Sequence, residues 1–172
     1  MTTKSDVLLK TTKEMIENAR VFGFDLIICG GIGVHVLSNV LKRDSPRHWN
    51  HKDIDFVVPL SQFQRAISFF KTLGYTSVFV PHKKSRLTEN HIRFGNQINK
   101  TKILVDLYGV PKLAIIKIEQ NNHRVLLLSP RIELKNWKDR QKRIGLTPST
   151  NLTIEFLEHI IDEDLFTEEE IT

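Results

Sequence analysis

Cysteine is almost missing from this chain of 172 residues: Cys29 stands alone. No internal disulfide framework can hold such a fold, and a reducing, cytoplasmic setting is expected. Cys29 closes the apolar stretch Leu26-Ile27-Ile28, so it reads as an inert buried thiol. Long apolar runs are missing as well. None approaches the roughly 20 residues of a membrane-spanning helix, and the polar start Met1-Thr2-Thr3-Lys4-Ser5 does not read as a signal peptide. The end of the chain lacks positive charge: from Asn151 onward there are eight acids and no Lys or Arg. The first 150 residues therefore hold 25 basic against 12 acidic residues, a net of +13, although the whole chain is only +5. That excess favours anionic partners such as nucleotide phosphates or RNA.

What is present is ordinary for a globular protein, with 40% hydrophobic and 26% charged residues. The length predicts one domain, 1–172, with an acidic C-terminal tail over about 162–172 read as a solvated end. Helical spacing of Leu8, Thr11, Met15, Ala19 and Phe22 predicts a first helix over about 5–21, closed by Gly23. A short buried strand over 26–29 runs into Gly30-Gly31 and a second helix carrying Val34, Leu37, Val40 and Leu41. A basic loop over 42–52 precedes a strand over 54–58 that Pro59 stops. Ser61 is placed to cap a third helix with the stripe Phe63, Ile67 and Phe70. Strands are expected over 76–80 and 103–108, and a hairpin over 113–118 and 125–128. The polar stretch 82–101 offers at most a short strand around 92–94. Ser129-Pro130 opens a helix towards Arg143, and a last amphipathic helix covers about 152–161. Together these predict an α/β (α+β) fold, a mixed sheet flanked by helices.

Asp53-Ile54-Asp55 is the feature that points to chemistry. Side chains on a strand repeat direction every second residue, so both acids share one face while Ile54 and Phe56 take the other. Two like charges about 4 Å apart repel by on the order of 4 kcal/mol at a surface-like dielectric. A divalent cation removes that penalty, and oxygen-only ligands suit Mg²⁺ or Mn²⁺. Two other features fall into line. Gly30-Gly31 at a helix entrance lets backbone N–H groups approach a phosphate. Asp106 lies among apolar neighbours on a third strand, where it could share a metal and take a proton from an attacking hydroxyl. Gly30-Gly31-Ile32-Gly33 lacks the third glycine of a Rossmann turn and the Gly-Lys-Ser/Thr of a P-loop. His48 and His51, three apart but without further His or Cys nearby, read as loop residues, with His51 able to orient the aspartate pair. Lys83, Lys84, Arg86, Arg93, Lys100 and Lys102 are either a solvated surface or a clamp on an anionic ligand.

In these residues the chain resembles the nucleotidyltransferase superfamily with the DNA polymerase β-like fold, and most of all its small aminoglycoside and lincosamide nucleotidyltransferases. The matching positions are Cys29-Gly30-Gly31-Ile32-Gly33-Val34, then Arg47 and His51-Lys52-Asp53-Ile54-Asp55, then Val105-Asp106-Leu107. The resemblance covers about 25–110. It departs from the family where Trp and Asp after the glycines are replaced by Ile32 and His35, and where His48-Trp49-Asn50 stretches the Arg-to-His spacing. The resemblance implies a nucleotidyltransferase that moves a nucleoside monophosphate, AMP from ATP or that of another NTP, to a hydroxyl of a small molecule or RNA, releasing pyrophosphate. It implies Asp53, Asp55 and Asp106 as catalytic and metal-binding residues for Mg²⁺ or Mn²⁺, with Asp106 as base. Gly30, Gly31, Arg47 and Lys52 fall to the nucleotide. So short a chain predicts a homodimer, a second subunit completing the acceptor side, and no membrane partner. The alternative is a non-catalytic binding module on the same fold, antitoxin-like or RNA-binding.

Overall fold

A computed structural model of the chain describes residues 3–43, 50–79, 90–98, 100–120, 123–145 and 147–172. Helix α1 (Lys4–Val21) starts at a reciprocal cap between Thr3 and Asp6 and ends at Gly23, whose φ of +88° needs a glycine. Strand β1 (Ile27–Cys29) passes directly into helix α2 (Gly30–Val40). Strand β2 (Ile54–Pro59) leads through a single 3₁₀ turn, Leu60–Gln62, into helix α3 (Phe63–Thr72). Ser61 therefore lies inside that turn, and α3 starts after Gln62 with no side-chain cap. Strands β3 (Thr76–Val78), β4 (Asn90–Ile98) and β5 (Thr101–Val110) follow. Then come β6 (Leu113–Gln120) and β7 (His123–Leu128). Helix α4 (Pro130–Ile144) is capped by Ser129, whose hydroxyl accepts from the N–H groups of Arg131 and Ile132, and helix α5 (Pro148–Asp162) is capped by Thr147.

Among the described residues, eight strands form one mixed sheet in the order β3-β4-β5-β2-β1-β7-β6-β8. Two elements differ from the expectations of the sequence. The polar stretch before Thr101 holds a full nine-residue strand, β4, antiparallel to β5. The acidic end folds back as β8 (Glu168–Ile171) on the edge of β6. Its acids have definite partners: Glu168 accepts from the Ser129 hydroxyl at 2.6 Å, Glu169 pairs with Lys117 at 2.5 Å, and Glu170 pairs with Lys112 at 2.8 Å. Local composition concealed both strands because their pairing, not apolar content, selects them.

Alternation along the strands sorts the sheet into two faces. Ile28, Ile54, Phe56, Val58, Val105 and Leu107 point into the main core with the apolar stripes of the helices. Phe70 is fully buried at its centre, with ring contacts to Phe56, Phe69, Tyr75 and Phe94. The opposite face carries a smaller apolar layer that includes Ile27, Cys29, Val57, Leu126 and Leu128, packed with Tyr108, Val110 and Ile132. The acids Asp55 and Asp106 belong to this second face. No helix of the described residues is long and apolar enough to cross a membrane. Phe70→Ala should destabilise the fold by about 3–5 kcal/mol, the usual cost of emptying a buried aromatic site. Equilibrium denaturation in urea checks this, with a lower midpoint at unchanged slope expected.

Candidate active site

Strand pairing, not proximity in sequence, assembles the site. Cys29 stands opposite Asp55 in the antiparallel β1–β2 pair, and Asp55 stands beside Asp106 in the parallel β2–β5 pair. Asp106 in turn faces Arg93 across the antiparallel β4–β5 ladder. Three strands thus place two acids and a guanidinium in a row on one face. Asp53, just ahead of β2, has the parity of Asp55 and joins them.

The acids have unlike surroundings. Asp106 is 2% exposed and fully engaged. Its Oδ1 accepts from Arg93 Nε at 2.8 Å and lies 2.7 Å from His91 Nε2, and its Oδ2 accepts from Arg93 Nη2. The His91 ring stacks on Tyr108, with centroids 4.5 Å apart and planes 12° from parallel. Burial pushes the Asp106 carboxyl up, but the bonds from His91 and Arg93 outweigh it and hold it below the ordinary carboxylate value. Arg93 Nη2 also reaches Asp53 Oδ2 at 3.1 Å. Burial, then the Asp106 charge, raises Asp53 despite Arg93. Asp55 is pushed up furthest among the three, by burial and then by Asp53, Asp106 and Glu133, with Arg93 as the opposing charge.

Gly30 explains itself in this setting. Its φ is +66°, and a Cβ there would lie 2.5 Å from Asp55 Oδ2. The helix entrance and the carboxylate touch, and only glycine leaves room. The Gly30 N–H donates to Glu133 Oε1 of α4 at 2.6 Å. Glu133 is buried, and burial pushes it up to about 7, although bonds from Gly30 and Trp137 pull the other way. A carboxylate of the chain itself therefore occupies the anion position at the start of α2, the place that sequence reasoning assigned to a phosphate. Burial, with Glu133, Asp55 and Asp106, also drives the Cys29 thiol up, which keeps it protonated and inert.

Beside these groups lies a cavity of about 580 Å³. Gly30, Gly31, Lys52, Asp53, Asp55 and Glu133 line its acidic end. Apolar residues and the Tyr108 and Trp137 rings form its walls, while Lys112, Arg140 and Arg143 bring positive charge and Thr147, Ser149 and Thr150 bring hydroxyls. Asp106 is not among its lining residues, being covered by its own partners. The structure thus brings together Gly30, Gly31, Lys52, Asp53 and Asp55 at one cavity and sets Asp106 behind Arg93. Arg47 and His48 lie outside the described residues, as do Lys83, Lys84 and Arg86. His51 also lines the cavity, and its Nε2 lies 2.9 Å from Nδ1 of His35 on α2, with the rings stacked.

Arg93 is the partner of two aspartates rather than a solvated or ligand-clamping residue, and neither His91 nor Glu133 stands out in the sequence. Their signals were faint: His91 and Arg93 alternate with Ile92 and Phe94, as a strand with one polar face does. Glu133 carries no sequence mark, because its partner Gly30 is more than 100 residues away.

Glu133 gives a pH signature. Its carboxyl binds a proton more tightly in the folded chain than in the unfolded chain, so its ionisation opposes folding. Stability is lost as pH rises from about 4.5 to about 7, by on the order of 3 kcal/mol from this group. Glu133→Gln keeps an oxygen for the Gly30 N–H and removes the titration. Thermal midpoints from pH 4.5 to 7.5 should fall less steeply for the variant, and parallel curves would contradict the assignment.

No family model matches the chain, and no curated protein matches its sequence. Solved structures do. The lincosamide antibiotic adenylyltransferase LnuA, lincomycin-bound, superposes with a TM-score of 0.61 at 13% identity, over 92% of this chain and 98% of that one. ANT(2")-Ia in complex with adenylyl-2"-tobramycin gives 0.59 at 12% identity over the same shares. A nucleotidyltransferase-like protein from Paracoccidioides brasiliensis gives 0.57 at 16% identity, over 91% of this chain and 77% of that one. The mixed sheet flanked by helices that the sequence led us to expect is that of these structures: the chain has the nucleotidyltransferase fold.

Proposed function

We propose that the protein is a metal-dependent nucleotidyltransferase that passes a nucleoside monophosphate, AMP from ATP, to a hydroxyl acceptor with release of pyrophosphate. One observation carries this reading. The pair Asp53 and Asp55 opens β2 at the entrance of α2, at one end of a cavity of a size suited to small molecules. One solved structure with this fold is of a lincosamide antibiotic adenylyltransferase and another holds adenylyl-2"-tobramycin, which agrees with it.

The surroundings of the pair fit a hard divalent cation. Asp55 is raised because burial and three neighbouring carboxylates, Asp53, Asp106 and Glu133, load one point with negative charge. Mg²⁺ or Mn²⁺ held by Asp53 and Asp55 would cancel that load and draw charge from a triphosphate. The chain's own residues carry the rest. Gly31 at the helix start and the exposed Lys52 offer donors to the phosphates. Arg140 and Arg143 favour a neutral or anionic acceptor, a hydroxylated small molecule or RNA, over a polycation. The acceptor oxygen bonds to the α-phosphorus as the bond to the bridging oxygen of pyrophosphate breaks. Its proton has a fitting destination in Glu133, a cavity carboxylate near neutrality, whereas the engaged Asp106 is a weak base.

The protein with Mg²⁺, α-labelled ATP and acceptors of neutral, anionic and cationic classes, RNA included, should release pyrophosphate and label an acceptor. Asp53→Asn and Asp55→Asn should each lower that rate by about 100-fold or more while the circular dichroism spectrum stays unchanged. An intact protein that neither binds ATP nor releases pyrophosphate would overturn the proposal. A second reading, a binding module without catalysis, draws on the contact of Glu133 with the Gly30 N–H. Stable capture of RNA or a protein, unchanged by either aspartate substitution, would favour it.

A further inference from the structure

We infer that Arg93 is a built-in cation that takes the place of a second metal ion, so that the site admits one divalent ion and not two; this rests on the nucleotidyltransferase reading above. In that reading three aspartates attract positive charge, but the chain already supplies part of it. The Arg93 fork binds Asp106 through both Nε and Nη2, and the same Nη2 reaches Asp53 at 3.1 Å. One guanidinium bridges the two acids that flank Asp55.

The bridge follows from the sheet and is not a surface accident. Arg93 stands opposite Asp106 in the β4–β5 ladder, where the backbone register brings their side chains together. Two residues along β4, His91 closes the other side of Asp106 at 2.7 Å and is itself stacked on Tyr108. Asp106 is thereby left with almost no free lone pair and no access to the cavity. A guanidinium stays charged at any working pH and matches a carboxylate edge with two parallel bonds. A divalent ion between Asp53 and Asp106 would have to displace it, stranding a cation beside the incoming one. Asp53 and Asp55, which line the cavity, are the aspartates left to hold an ion, enough for one. Asp106 then acts as a positioning residue: it holds Arg93, which holds Asp53.

Counting Mn²⁺ tests this directly. Electron paramagnetic resonance titration of the full chain with the α,β-methylene analogue of ATP should give one bound Mn²⁺ per bound nucleotide. Arg93→Met should bind two, since removing the fork vacates the Asp53–Asp106 position. Two ions on the unaltered protein would overturn the inference and leave the proposed activity intact. A variant that folds and still binds one ion would also overturn it. No ion and no nucleotide would remove the nucleotidyltransferase reading itself, and this inference with it. Should Arg93→Met fail to fold, the count on the unaltered protein decides alone.

Discussion

Everything at this site depends on negative charge gathered at one partly buried spot beside the cavity. Asp53, Asp55, Asp106 and Glu133 converge near the start of α2, and Arg93 pairs with both Asp53 and Asp106. A buried carboxylate without a cation is costly, and its pKa rises. Asp55 and Glu133 both follow that rule. Asp106, with two donors of its own, moves the opposite way. Acids in unlike settings thus meet beside one sheet face: an engaged one, a pair lining the cavity, and a carboxyl of α4 pushed up to about 7.

The fold imposes this arrangement at little local expense. Each strand keeps its apolar residues on the core face, so Ile54, Phe56, Val105, Leu107 and Phe94 bury normally. The charges sit on the alternate positions, which the smaller apolar layer and the cavity leave partly open. The antiparallel step between β1 and β2 brings Asp55 against Gly30, where any side chain would collide with it. The glycine at the helix entrance and the aspartate on the strand are two halves of one packing decision.

That division explains how far the sequence could be read. Periodicity exposed α1, the short strand before the glycines, β2, β5 and the β6–β7 hairpin, because apolar spacing selects those elements. That Asp53, Asp55 and Gly30-Gly31 would meet was legible because their short spacings place them at the ends of neighbouring elements. Strands β4 and β8 were hidden because polar residues fill them and their partners lie far along the chain. The engagement of Asp106 was hidden for the same reason: its pairing with Arg93 exists only once β4 and β5 are in register. Glu133 meets Gly30 only through the docking of α4, which no local pattern announces.

The proposed vacancy for one cation at Asp53 and Asp55 is tested by thermal unfolding in the presence and absence of Mn²⁺. Binding to the folded chain alone raises its stability with ion concentration. The thermal midpoint of the unaltered protein should rise with Mn²⁺. Asp55→Asn, relieved of a carboxyl crowded by Asp53, Asp106 and Glu133, should start higher without the ion and gain nothing from it. A midpoint indifferent to Mn²⁺, with Asp55→Asn no more stable than the unaltered chain, would contradict the proposed vacancy.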